Sequence, residues 1–141
     1  MIYGGCGDGS VQIWDLRANH LHRPQFHFSD AHAPNCEITA FQMFRDSFRF
    51  ATRSMDDTMK LWDIRKLNQA LFSWEDLVNL SSKTSITISP SEKLLLTGTS
   101  ARQGYGHGFM VGFNTMTGEK DCEVPLSEQS VIALHWHHAL N

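Results

Sequence analysis

Among the 141 residues, four groups combine side-chain types and spacings that suit chemistry. His135, His137 and His138 put two imidazoles on one strand face, which suits a metal ion, but no third ligand stands near them in the sequence. The run Gly104-Tyr-Gly-His-Gly108 has the glycine spacing of a phosphate-cradling loop, yet no helix follows to supply the dipole and amide array that hold phosphate. A flexible hairpin accounts for it better. Asp56 and Asp57 are adjacent carboxylates, and a position in a turn accounts for both without acid–base work. The fourth group is a repeated ending, Trp14-Asp15-Leu16-Arg17 and Trp62-Asp63-Ile64-Arg65. Arginine donates in a planar, multidentate fork to carboxylates and carbonyls. Each Arg therefore has two readings: an anchor for a protein partner, or a cap paired with a local acid.

No nucleophile with a base, carboxylate pair or metal cluster occurs at catalytic spacing, so the chain is expected to be non-enzymatic and to need no cofactor or metal. Cys6, Cys36 and Cys122 are far apart and lack Cys-x-x-Cys spacing, which reads as free cysteines packed in strands. A net charge of -3 and scattered Lys and Arg supply no basic field for nucleic acid. No apolar run approaches the roughly 18 to 20 residues that span a bilayer, and the first residues lack signal-peptide character. An intracellular setting without membrane contact is the expectation.

The elements that must position these residues are short strands. The two Trp-Asp-x-Arg segments recur at the period of roughly 40 to 50 residues expected of propeller blades. Strands are expected at 2–6, 11–14 and 24–28, then at 37–44, 48–54, 59–63 and 71–74, then at 84–89, 94–99, 108–113 and 119–124, with one more beginning at 131–136. Turn formers separate them. Only 76–80 has any helical case, and it is too short to stand alone. The chain thus divides into 1–28 as a partial blade, 29–75 as a complete blade, 76–125 as a degenerate blade with a long hairpin, and 126–141 as the first strand of a further blade. The fold class is all-β, about three four-stranded antiparallel blades in an open arc.

These residues resemble the WD-repeat β-propeller family over nearly the whole chain. In that family a His before the inner strand, a Ser or Thr on the second strand, an Asp in the next turn and the Trp of Trp-Asp form a buried hydrogen-bonded chain. The resemblance assigns those roles to His32, Thr52, Asp56 and Trp62. The first blade keeps Asp8 and Trp14 but has Gly4 in place of the hydroxyl. The third has Phe113 and Asn114 at the Trp-Asp position, so Thr97 is expected to bond elsewhere. A closer resemblance, to the WD repeat-containing protein 70 or gastrulation-defective family, rests on Gly9-Ser-Val-Gln-Ile-Trp-Asp15, Lys60-Leu-Trp-Asp-Ile-Arg65, Gly98-Thr-Ser100 before a Gly-rich hairpin, and Leu134-His-Trp-His137. Arg53 at a usually small position and His138 where Pro is usual depart from the pattern.

Propellers protect their edges by radial closure of four to eight blades. Three blades cannot close, so the chain reads as a fragment that relies on the remaining blades of a longer protein, or else as a short chain that closes by self-association. Within the WD-repeat family, segments ending in Trp-Asp-x-Arg are associated with docking to the adaptor of cullin-RING ubiquitin ligases. The resemblance therefore implies that Arg17 and Arg65, with Asp15 and Asp63, contact such a partner from one face. Arg102 and Tyr105, in the long hairpin on the opposite face, are the expected contacts for a substrate or other partner. The implied role is a substrate-receptor scaffold in the nucleus, linked to chromatin or the DNA-damage response. The alternative is a scaffold in another complex, such as one for RNA processing or transport, without ligase docking.

Overall fold

Short apolar runs, some alternating with polar residues and some continuous, drive these segments into half-buried and buried strands. The computed structural model describes residues 1–17, 22–101 and 106–137. Its strands are β1 (Ile2–Gly5), β2 (Val11–Trp14), β3 (Phe26–Phe28), β4 (Ile38–Met43), β5 (Arg49–Ser54), β6 (Met59–Asp63), β7 (Phe72–Trp74), β8 (Ile86–Ile88), β9 (Leu94–Gly98), β10 (Gly108–Asn114) and β11 (Lys120–Ser127). They form three antiparallel sheets in the orders β1-β2-β3, β4-β5-β6-β7 and β8-β9-β10-β11. β1 lies against β4, and β4 and β5 lie against β8, so the sheets stand side by side as propeller blades in an open arc.

The cores are the two gaps between sheets. Between the first and second, Val11, Ile38, Phe50 and Trp62 are buried; between the second and third, Leu61, Trp74, Leu95, Val111 and Phe113 are buried. Strand parity divides β5 and β6 between these gaps, with Phe50 and Trp62 facing one and Ala51 and Leu61 the other. Each large apolar side chain so buried contributes about 1.5–3 kcal/mol. Rings run through the first gap as a column: Tyr3 on Phe41 at 5.9 Å, Phe41 on Phe50 at 4.9 Å, and Phe50 on Trp62 at 6.2 Å between centroids.

The links between sheets cross the hairpin of the sheet they leave. His32 N–H donates to the Gly9 carbonyl at 3.1 Å, Leu77 N–H to the Asp57 carbonyl at 2.9 Å, and Val131 N–H to the Thr99 carbonyl at 2.9 Å. This crossing extends residues 76–80, where a helical turn had the only case. The expected strand at 131–136 has no ladder partner among the described residues. There the Ile132 carbonyl accepts from Ser85 N–H at 2.8 Å and Leu134 N–H donates to Ser85 Oγ at 3.2 Å, a single attachment beside β8. The segment passes so close to Gly98 that a β-carbon there would strike the Val131 carbonyl.

A second latch joins the rims. Trp74 Nε1 donates to the Gly118 carbonyl at 2.7 Å and its ring stacks on Phe113 at 4.8 Å. Gly118 has φ of 76° and lies against the Phe72 ring, which leaves no room for a methyl group. Gly118→Ala is expected to cost about 2–3 kcal/mol, from the left-handed backbone and displacement of the ring together. Urea unfolding of the protein checks this; a change within about 0.5 kcal/mol would show that the ring gives way freely.

Candidate protein-interaction site

The ending Trp62-Asp63-Ile64-Arg65 is held from the inside outward. Trp62, 5% exposed, donates from Nε1 to Thr52 Oγ1 at 2.9 Å. The Thr52 hydroxyl in turn lies 2.7 Å from His32 Nε2, and His32 Nδ1 lies 3.0 Å from Asp56 Oδ2. Only one set of proton positions satisfies every member: the hydroxyl donates to Nε2, and Nδ1–H donates to the carboxylate. Asp56 also accepts from Ala33 N–H at 3.0 Å, Thr58 N–H at 3.0 Å and the Thr58 hydroxyl at 2.7 Å. Burial disfavours ionisation of Asp56, but these donors, His32 foremost, outweigh it and hold the carboxyl far below the usual carboxylate range.

Asp57 does a different job. Its carboxylate accepts from Asn79 N–H at 2.7 Å, fastening the link to the third sheet. Beside it is a group the sequence flagged only as a departure. Arg53 is fully buried, on the face of β5 opposite Thr52, and donates to the carbonyls of Ser54 at 3.0 Å, Thr58 at 2.9 Å and Leu77. Burial presses its guanidinium down to about 10, against the opposing charges of Asp57 and Asp56, so it stays protonated at neutral pH. Its Nε has no partner among the described residues. Parity along β5 was the signal that Arg53 points inward, but its most distant acceptor is 24 residues on and no local pattern reveals it.

In the first sheet, Asp8 closes its turn by accepting from Ser10 N–H at 2.9 Å, while Trp14 is half-buried on the strand opposite Ile2. Gly4 pairs with Gln12, the register position that Thr52 and Lys60 occupy in the second sheet. In the third, the Thr97 hydroxyl donates to the Ser85 carbonyl at 3.1 Å, and Phe113 fills the tryptophan position.

Both arginines fold back on their own motif. Arg65 donates from Nε to Asp63 Oδ1 at 2.9 Å and from Nη2 to Oδ2 at 2.6 Å; Arg17 does the same with Asp15 at 3.1 and 3.2 Å. The two Asp carboxyls are lowered by these forks and by the Arg amides, Asp63 to about 2, and both guanidiniums are raised. Local pairing uses two of the five N–H groups of each fork. Side-chain exposure of 83% for Arg17 and 61% for Arg65 leaves the rest to solvent. Arg65 additionally lies 4.5 Å over the Phe48 ring, a contact that sequence reading missed because Phe48 belongs to the preceding turn.

The remaining candidates do not converge. Among the described residues no three His, Cys, Asp or Glu side chains are grouped to hold a metal. Arg102, Tyr105 and His138 lie outside the described residues.

No family model matches the chain. WD repeat-containing protein 70 of Bos taurus is 38% identical over 141 residues, all of this chain and 21% of that protein. The protein of that name from Xenopus laevis is 40% identical over 140 residues, 99% of this chain and 22% of its own length. Gastrulation defective protein 1 homolog of Drosophila melanogaster is 36% identical over 141 residues. The chain thus spans about a fifth of the length of these relatives. A chain in the crystal structure of a mitotic checkpoint complex superposes with a TM-score of 0.70 at 18% identity, over 86% of this chain and 34% of that one, and shows the shared fold.

Thr52→Val keeps the shape of the side chain but strands the Trp62 donor and the His32 ring, so a loss of about 2–3 kcal/mol at neutral pH is expected in denaturant unfolding. The Asp56 shift fixes a pH dependence. A carboxyl depressed by folding stabilises fully above its unfolded value of about 4, and that stability is lost as pH falls toward the folded value. Unfolding midpoints between about pH 7 and 2.5 are therefore expected to fall more steeply in the wild type than in Asp56→Asn. Parallel curves would show that Asp56 does not carry the linkage.

Proposed function

Because the chain belongs to the WD-repeat family, a protein-interaction scaffold built of propeller blades, we propose that it docks, through Arg17 and Arg65, to the adaptor of a cullin-RING ubiquitin ligase and acts as part of a substrate receptor. The observation that carries this reading is the pair of forked guanidiniums at equivalent positions of adjacent sheets, each paired with its Asp and still largely open to solvent. A preorganised Arg loses little side-chain entropy on binding and is a frequent interface anchor.

The equivalence of position follows from the strands. β2 and β6 are the strands that precede the two endings. The hairpins at their other ends both pack against residues 32–38, through His32 N–H to Gly9 and Met55 N–H to Glu37. Arg17 and Arg65 accordingly leave on one face and the hairpins on the other. Substrate recognition is assigned to that opposite face, with Arg102 and Tyr105, which lie outside the described residues, as its expected contacts. A nuclear location and a link to chromatin or the DNA-damage response go with this reading through the family resemblance.

A second reading has its own observation. Each guanidinium already has a carboxylate partner, as an ordinary loop cap would. On that reading the chain is a scaffold in another assembly, for RNA processing or transport, and does not dock to a ligase.

Arg17→Ala combined with Arg65→Ala, made in the protein with all its blades, separates the two. Docking predicts that affinity for the purified adaptor, measured by surface plasmon resonance, falls about 10- to 100-fold and that the loss shrinks at high salt. The unfolding midpoint should barely move, since exposed pairs contribute little. Unchanged affinity would leave the scaffold without ligase docking.

A further inference from the structure

The arginine positions are two of three. Asp15, Asp63 and Asn114 follow or end β2, β6 and β10, the strands in corresponding places of their sheets. Each accepts, through its side-chain oxygen, the amide of the residue two places on: Arg17 N–H at 3.0 Å, Arg65 N–H at 2.9 Å and Met116 N–H at 2.9 Å. The same turn therefore presents one side chain per sheet, and in the third sheet that side chain is the thioether of Met116.

Hydrogen bonds place the third turn on the arginine face. Glu92 accepts from Arg45 N–H of the second sheet at 2.6 Å, and its carbonyl accepts the Thr115 hydroxyl of the third at 2.6 Å. Phe48, under Arg65, follows Arg45 in the same turn. The Met116 turn is also firmly built. Asn114 accepts from Thr117 N–H at 3.2 Å through its side chain and from Gly118 N–H at 2.9 Å through its carbonyl. Yet Met116 itself is 71% exposed, and on the same face Leu16 is 59% and Phe48 45% exposed.

A single exposed apolar residue is ordinary. An unbranched thioether held out by a hydrogen-bonded turn, on the same face as two forked guanidiniums, has the make-up of an interface anchor. Resting on the docking reading above, we propose that Met116 is the apolar anchor of the same contact, and that the partner presents carboxylates opposite the first and second sheets and an apolar pocket opposite the third. The partner is thereby oriented along the arc, because reversing it would set an apolar pocket against Arg17 and a carboxylate against Met116.

The test uses the protein with all its blades and the purified ligase adaptor. Met116→Gln is expected to weaken binding about 10-fold through faster dissociation, equally at low and high salt, whereas Met116→Leu retains binding. Peroxide oxidation of Met116, followed by mass spectrometry, is expected to slow in the complex. Met116→Gln binding like the wild type, with Met116 oxidised at the free rate while the arginine variants lose affinity, overturns the anchor and leaves the docking reading intact. Absence of any adaptor binding by the wild type overturns both.

Discussion

One hydroxyl sets the geometry of the second sheet. Thr52 Oγ1 accepts from the Trp62 indole and donates to His32, so β5, β6 and the link from the first sheet meet at a single buried atom. Because that atom is fully buried, water cannot replace any partner, and the arrangement stands or falls as a unit. Trp62 precedes Asp63, and Asp63 aims Arg65. The surface guanidinium thus inherits its direction from a bond in the interior. Arg17 lacks such a root, since Gly4 supplies no hydroxyl; its direction comes from the Asp15 fork and the strand register.

The repeat was legible because its chemistry is local. Trp, Asp and the small-residue turns recur in order, and strand limits such as those of β2 and β6 match the alternation of apolar residues. Outer strands were harder: β3 and β7 are three residues each, since the ladder ends where the partner strand turns away. Residues 131–136 have a strand's alternation and meet the residue before β8 through the Ile132 carbonyl, without a ladder among the described residues.

At the candidate site, residue types were legible and their commitments were not. Two readings of Arg17 and Arg65 stood open from sequence, and the structure displays local pairing together with exposure. Arg53 is a sharper case. A charge in a strand interior announces an unusual requirement, but the Leu77 carbonyl that meets it comes from the link to the next sheet. Met116 escaped notice because the residue two places before it is Asn rather than Asp, although the turn depends only on a side-chain oxygen that both residues have.

The bonds between the second and third sheets have a consequence for how the array comes apart. In a linear chain of repeats, cooperativity is set by the coupling between neighbours relative to the stability of each unit. Here that coupling runs through the apolar gap and the link at residues 77–80, and on the periphery through Trp74 to the Gly118 carbonyl at the rim and Arg45 to Glu92 on the arginine face. Gly118 closes the turn that carries Met116, and Glu92 accounts for its attachment. Any fraying of the third sheet from the second therefore loosens the exposed turn at the same moment, so that amide exchange in the Met116 turn reports the integrity of the joint between sheets rather than the mobility of a loop.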